Sequence, residues 1–283
     1  MTLLAVSPCV DVERLQVRSI PVCCPSATLA VWSSAWLHGA AASDDALDAL
    51  LTWGEAHEVV AADTATADSF DVPVTGAVPA TPARLLAALR RLGGTDARLV
   101  LPVPGDPRGL GGGGAFTDAA LRAGEAVVFV GLGYGVVPQA IAEGLMRWTV
   151  LATSADATPE YVSLAEAEHG LTDAIRDSAG ALQALDVASE RPGVREELSA
   201  RLRATPRAQW PDGTPGRALR VLQRAEEVAA ILALAHADQP GGALSASAAS
   251  RRADALRPLT DAVRMARCAA VNEAVRVLAG AAG

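Results

Sequence analysis

Hydrophobic and polar positions alternate over Glu13–Ile20, where Leu15 and Val17 are separated by Gln16 and Arg18, the two-residue period of a strand with one buried face. Thr2–Val6 reads as a strand ahead of it. Ala27–His38 is apolar nearly all round, with Trp32 and Trp36 one helical turn apart, and closes at Gly39, which predicts a short buried helix. Ser43 caps a second helix carrying Leu47, Leu50 and Leu51; His57–Ala61 reads as a short strand, and the Ala/Thr/Asp/Pro-rich run 62–80 as a long loop. Thr81-Pro82 supplies the cap and first position of a helix through Leu85, Leu86, Leu89 and Leu92, closed by Gly93-Gly94. Ala97–Val103, Glu125–Val130 and Leu145–Ala152 read as strands. Between the first two lie a glycine loop, Gly105–Gly114, and a short helix near Thr117–Ala123.

Beyond this point the period lengthens. Thr158-Pro159 opens a helix to near Val187, striped by Leu164, Leu171, Ile175, Leu182 and Leu185. A shorter helix spans Pro192–Arg203, and Thr214-Pro215 opens another to Ala237, striped by Val221, Ala225, Val228 and Leu232. The last runs from near Ser245 to Leu278, where Pro258 is expected to kink or break it. The pattern implies an α+β chain in two parts: a mixed α/β sheet domain over residues 1–155, with some parallel pairing, followed by an all-α antiparallel helical bundle over 156–283. The boundary falls near Ser154–Thr158.

Composition narrows the chemistry. All 24 basic residues are arginine, so a G-K-[ST] phosphate loop, a Schiff-base lysine, a Ser-x-x-Lys site and a kinase strand lysine are all excluded. Residues 1–157 hold 9 Arg against 16 acids and residues 158–283 hold 15 against 16, so neither half is basic and no nucleic-acid or anionic-lipid partner is expected. The run Ser19–Ser43 carries no Asp, Glu or Arg, but Pro21, Pro25 and Gly39 leave its helical part short of the roughly 20 residues a bilayer requires. No basic n-region opens the chain, and Cys9, Cys23, Cys24 and Cys268 form no C-x-x-C. A soluble, cytoplasmic protein without cofactor is the expectation.

Few residues suggest chemistry. Gly109, Gly111 and Gly114 satisfy G-x-G-x-x-G between a strand and a helix, where backbone amides can cradle a phosphate, and Asp106 and Arg108 would rim a pocket there. Four consecutive glycines match such a pattern by accident, and no acid follows to hold a ribose. Glu166 and His169 form E-x-x-H on one helix face, the weak candidate for a metal site; a di-metal bundle needs two such motifs, and Asp173 and Arg176 beside His169 suggest solvated ion pairs. Glu226 continues the line of Leu219 and Leu222, so it reads as a buried carboxylate whose partner would be an arginine of the last helix. Cys268 and Asn272 share a face with Met265 and Val275 on a helix apolar on two sides, which makes Cys268 a small core residue. A Cys–His pair drawn from Cys9, Cys23 or Cys24 with His38 or His57 stays open.

Four segments carry a resemblance: Leu99–Leu110 (LVLPVPGDPRGL), Ala167–Arg176 (AEHGLTDAIR), Arg217–Leu232 (RALRVLQRAEEVAAIL) and Arg267–Arg276 (RCAAVNEAVR). In these the chain resembles a family of uncharacterised actinobacterial proteins, a resemblance that implies no activity. The leading expectation is a non-catalytic interaction or regulatory protein whose helical half presents a face to a protein partner or to a second copy, as a homo-oligomer. The alternative is a small-molecule-binding protein or enzyme using Gly105–Gly114; the second alternative is a metalloprotein using Glu166 and His169.

Overall fold

The computed structural model describes residues 19–21, 23–94, 96–110, 112–153, 162–184, 193–237 and 246–280. Thr2–Val6, most of Glu13–Ile20, the boundary segment Ser154–Thr158 and Gly111 lie outside the described residues. The chain is α+β. Its centre is a five-stranded sheet in the order β2-β6-β5-β4-β3, formed by β2 (Ala56–Ala61), β3 (Ala97–Val100), β4 (Ala126–Phe129), β5 (Tyr134–Ala142) and β6 (Leu145–Ala152). β2 runs parallel to β6, and every other neighbour pair is antiparallel. A two-stranded antiparallel ribbon joins β1 (Ser19–Pro21) to β7 (Arg207–Gln209), so the half expected to be all-helical carries one short strand.

Period-two alternation divides the sheet into two unlike faces. One face presents Leu99, Val127, Phe129, Val136, Trp148, Val150 and Val59, all at most 1% exposed. Against it lies α1 (Pro25–Leu37), buried from Pro25 to Ala35 because it packs on β3 and β4 and on two other helices. Those are α2 (Ser43–Leu50) and the long C-terminal α9 (Ala246–Gly280). Two of the buried hydroxyls of α1 are matched to distant partners: Ser34 Oγ accepts the Ala97 N–H at 3.0 Å, and Thr28 Oγ1 accepts the Trp53 indole N–H at 2.8 Å. Two short helices, α3 (Thr64–Phe70) and α4 (Pro82–Arg91), complete this side. α3 falls within the run 62–80 expected to be loop; Asp63 caps it by accepting the Thr66 N–H at 2.8 Å, and Ala67 and Phe70 bury against the sheet.

The other face is covered by one helix, α5 (Ala115–Ala123). Its apolar set is small: Val100, Ala126, Val137 and Leu151 from the sheet meet Phe116 and Ala120 from α5. A helix about 10 Å across cannot cover five strands spaced about 4.8 Å apart. The strip along β5, β6 and β2 beyond it is polar: Gln139, Thr149, and the cross-strand ion pair Glu58–Arg147.

The C-terminal part contributes α6 (Leu164–Ala184), α7 (Val194–Ala204), α8 (Gly216–Ala237) and α9. It is joined to the sheet domain by one continuous apolar core. Pro258 lies inside α9 and does not break it, because Leu256 and Leu259 on either side of it are buried and hold both flanks for the loss of one backbone hydrogen bond. α9 also finishes the sheet edge. Asn272 accepts the Leu99 N–H at 2.9 Å and donates to the Leu99 carbonyl at 3.3 Å, so its amide stands in for a missing neighbour strand at β3.

His57 makes the core sensitive to acid. The fully buried Trp148 donates its indole N–H to His57 Nδ1 at 3.0 Å, and Nε2 faces the Gly54 carbonyl at 3.2 Å. Both contacts require the neutral ring protonated at Nε2, and burial lowers the His57 pKa below its ordinary value against the pull of nearby carbonyls. A lowered histidine pKa means that the unfolded chain binds the proton more readily, so this contribution is complete above the unfolded value of about 6.5 and is lost as pH falls below it. Urea midpoints measured from about pH 7.5 down to about pH 5.5 are expected to fall, and His57→Gln, which keeps an acceptor for Trp148, should flatten that slope. An unchanged slope in the variant would assign the acid sensitivity to other groups.

Candidate functional site

Where α5 leaves the second face uncovered, a cavity of about 720 Å³ opens between α5, the strands β5 and β6, and the start of α1. Its floor is built from the sheet: Val137 and Gln139 of β5, Thr149 and Leu151 of β6. Asp118, Ala119 and Arg122 of α5 form one wall, and Glu125 and Pro25 close the end. The volume lies within the range of sites for small organic molecules.

Glu125 is the chemically distinctive group. It stands just before β4, and the β4–β5 pairing carries it to the strand end beneath α5. One carboxylate oxygen accepts the Ser26 N–H, in the first turn of α1, at 2.8 Å. A helix N-terminus favours an anion, yet the Glu125 pKa is raised. Burial is the largest cause, and the Ser26 groups and the Cys24 thiol pull it only partly back. The result is a half-buried carboxyl group that holds a proton more readily than an ordinary glutamate and faces a cavity. Arg122, exposed on α5, brings a cation to the same cavity, and among the described residues no acid is paired with it.

Cys24 and Cys268 are kept as thiols. Cys24 caps α1, lies 3.7 Å from Cys23 (Sγ to Sγ), and is pushed up by burial and then by Cys23. Cys268 is pushed up to about 12, again mainly by burial. Neither is a ready nucleophile. Among the described residues no cysteine meets a histidine: His38 pairs with Asp96 at 3.2 Å, and His57 with Trp148 and Gly54. Cys9 lies outside the described residues.

The candidates read from sequence fall elsewhere. Asp106 is held by Arg108 through two contacts at 2.7 and 2.6 Å and by Arg264 of α9, which also donates to the Leu101 carbonyl at 3.2 Å. The Arg108 hydrogen bonds, with Arg264 behind them, keep the Asp106 carboxyl well below the usual range. These residues fasten the glycine loop to the last helix and do not line the cavity. Gly109 adopts φ +86°, where a Cβ would strike Val100 Cγ1, and its carbonyl accepts from Arg98, so its backbone is committed to packing. Gly114 is the N-cap of α5.

Glu166 is a capping-box residue. It accepts from the Ser163 N–H at 2.9 Å and hydroxyl at 2.7 Å, while the Ser163 hydroxyl accepts the Glu166 N–H at 3.2 Å, which closes the N-terminus of α6. His169 pairs with Asp173 at 3.1 Å on the exposed face. The two sides of E-x-x-H are therefore engaged separately, and among the described residues no group of three or more His, Cys, Asp or Glu is placed to hold a metal.

Glu226 of α8 is 6% exposed and grips Arg267 of α9 with two bonds of 2.7 Å. Glu125 was invisible in the sequence because its burial depends on Ser26, 99 residues away. The one available signal was its place after Gly124, at the mouth of a strand.

Residues 26–162 match the family model described as Rv1486c-like protein, N-terminal domain, and residues 165–268 match the corresponding C-terminal domain. The chain is 40% identical to the uncharacterized protein Rv1486c of Mycobacterium tuberculosis H37Rv over 282 residues, covering 88% of this chain and 96% of that protein. It is 35% identical to the uncharacterized protein ML1804 of Mycobacterium leprae and 33% identical to the uncharacterized protein MAV321 of Mycobacterium avium, with the same coverage. No solved structure matches the chain. No helix among the described residues is long and apolar enough to cross a membrane.

Proposed function

The chain belongs to the Rv1486c-like family, in two matched domains, and on that footing we propose that it is a small-molecule-binding protein whose site is the cavity beneath α5. The observation that carries this reading is Glu125: a proton-retaining carboxyl group at the closed end of a cavity of about 720 Å³. The ligand it suits is a small organic molecule with a polar or anionic head near Arg122 and Glu125 and an apolar body over Val137 and Leu151. This is the small-molecule alternative drawn from sequence, with the site moved from Gly105–Gly114 to the far side of the helix that follows it.

An interaction surface on the helical half finds less support. A docking face needs several neighbouring exposed apolar side chains, and among the described residues of that half Ile231 is the one large hydrophobic that is exposed. We further infer that α6, α8 and α9 act as an antiparallel bundle clamped on the sheet. Glu226–Arg267 sets α8 against α9, Ser178 bonds to the Ala255 carbonyl between α6 and α9, and Glu168–Arg217 aligns the starts of α6 and α8.

A thermal-shift screen of small carboxylic acids, hydroxy acids and amides tests the binding proposal. A ligand at a hundred times its Kd adds about 2.7 kcal/mol, a rise of about 5–10 °C for a protein of this size. Ala119→Trp, which fills the cavity from the half-buried wall of α5, should abolish the rise, and the unliganded Tm measured alongside shows whether the fold is kept. A screen without hits, or a hit that survives Ala119→Trp, would remove the cavity as the site.

A further inference from the structure

The two carboxyl oxygens of Glu125 are placed differently. Oε2 is taken by the Ser26 N–H at 2.8 Å. The Ser26 hydroxyl and the Cys24 thiol lie near enough to draw the carboxyl pKa down a little, but neither forms a hydrogen bond of good geometry with it. Among the described residues the buried side-chain polar atoms left without a partner are Ser26 Oγ, Arg98 Nε, Trp210 Nε1 and Arg264 Nε. Oε1 of Glu125 is not one of them, so it keeps accessible surface, and the open space that Glu125 lines is the cavity beneath α5. Burial makes Glu125 hold its proton more readily than an ordinary glutamate. With Oε2 committed as an acceptor, that proton belongs on Oε1, where it is a donor on the open side.

The charges around this donor are few. Arg122 and Asp118, one turn apart on α5, line the same cavity and are both exposed. Gln139 and Thr149 on the floor carry no charge. On the α1 side, burial pushes the Cys24 thiol well up, so it stays neutral, and Arg267 beyond it is held by Glu226. With Glu125 protonated, Arg122 and Asp118 balance, and an incoming anion meets no net negative charge. With Glu125 ionised, it meets a carboxylate at close range, and like charges sharing one site repel.

We propose that the cavity beneath α5 takes a small monocarboxylate with an apolar body, bound together with a proton: one ligand oxygen accepts from Glu125 Oε1, the other faces Arg122, and the body lies over Val137 and Leu151. This rests on the reading of the cavity as a binding site and names the ligand class and its control by pH. An O–H···O⁻ contact is of the short, charge-assisted kind, and it exists only while Glu125 holds its proton. Affinity is therefore full below the Glu125 pKa of the free protein and falls as pH rises through it, toward about tenfold per pH unit.

Hexanoate is the probe, with hexanamide and hexylamine as neutral and cationic controls. Isothermal titration of the full chain runs from about pH 6, where a simple carboxylic acid is already ionised, to about pH 8.5. Hexanoate is expected to lose at least about tenfold in affinity over that range and to take up a proton on binding, seen as a heat that depends on the ionisation enthalpy of the buffer. Hexanamide should bind more weakly at the acid end and without the slope. Glu125→Gln keeps an acceptor for Ser26 and puts a permanent N–H donor in place of the O–H, so it should bind hexanoate with little pH dependence. Asp118→Asn should keep the slope, and Arg122→Gln should weaken hexanoate about fivefold at every pH. Both of these lie on the surface of α5, so together with proton uptake by the parent chain they decide the matter even where Glu125→Gln fails to fold. A flat hexanoate affinity, no proton uptake, a slope lost in Asp118→Asn or kept in Glu125→Gln, hexylamine binding that tightens as pH rises, or no hexanoate binding where another compound of the screen binds would each overturn the carboxylate class and leave the cavity as a site. Binding of none of these probes and of no compound in the wider screen would remove the site itself.

Discussion

Replacing Glu226 by alanine is expected to destabilise the protein by about 3–5 kcal/mol, because it strands Arg267 against the core. The two side chains form a forked pair with both bonds at 2.7 Å, and the glutamate is 6% exposed against 25% for the arginine side chain. Around them Leu222, Ala225, Ala266, Ala270 and Val271 are nearly fully buried, so the freed guanidinium is hydrated only in part unless the α8–α9 seam opens. Desolvating two ions consumes most of what their attraction returns. The pair is therefore expected to fix the register of α9 more than to add net stability, and the double replacement Glu226→Leu/Arg267→Met should lie within about 1.5 kcal/mol of the parent. Urea denaturation of both singles and the double closes the cycle. Single losses below about 1 kcal/mol would mean that the seam admits water and that the pair behaves as a surface ion pair.

That pair also shows which parts of the molecule the sequence discloses. The 3.6-residue period puts Glu226 on the line of Leu219 and Leu222, so its burial follows from local spacing, and a buried carboxylate demands a cation from whatever helix faces it. The long helices were legible for the same reason, while the buried Ala27–His38 segment, the strand Leu145–Ala152 and the first four residues of Ala97–Val103, observed as Ala97–Val100, showed in their apolar runs. What escaped depends on partners distant in the chain. β5 was hidden by Gly131, Gly133, Gly135 and Pro138, which read as breakers; Pro138 is tolerated because it lies past the last residue paired with β4. α3 had its signal in Asp63 and Thr66, but a seven-residue helix gives too few turns for its period to stand out from a loop. Glu166 and His169 matched a metal spacing that the capping box with Ser163 accounts for, a reading available in S-x-x-E itself. The cavity was beyond reach altogether. It exists because one short helix covers a five-stranded sheet, and coverage is a property of the assembled layers.

The cavity roof supplies the second large effect, at Gly135. A Cβ there would fall inside the ring edge of Phe116, the residue that anchors α5 to the sheet. Phe116 is 2% exposed and enclosed by Val100, Leu110, Ala120, Val137 and Leu151, so the ring has no empty space to enter. Gly135→Ala must then lift α5 or displace β5, at a cost of about 1–3 kcal/mol. Lifting α5 carries Ala119 and Arg122 away from the cavity floor, so any ligand found for this cavity should bind the variant more than about tenfold more weakly. Phe116→Leu shortens the clashing ring and should recover part of both losses in the double variant, a favourable coupling that two independent defects would not give. Thermal denaturation with and without ligand reads both effects. If Gly135→Ala kept its stability within about 0.5 kcal/mol and its ligand affinity, then α5 would be a roof loose enough to move, and the rigid cavity assumed for the Glu125 site would have to be replaced by one that opens.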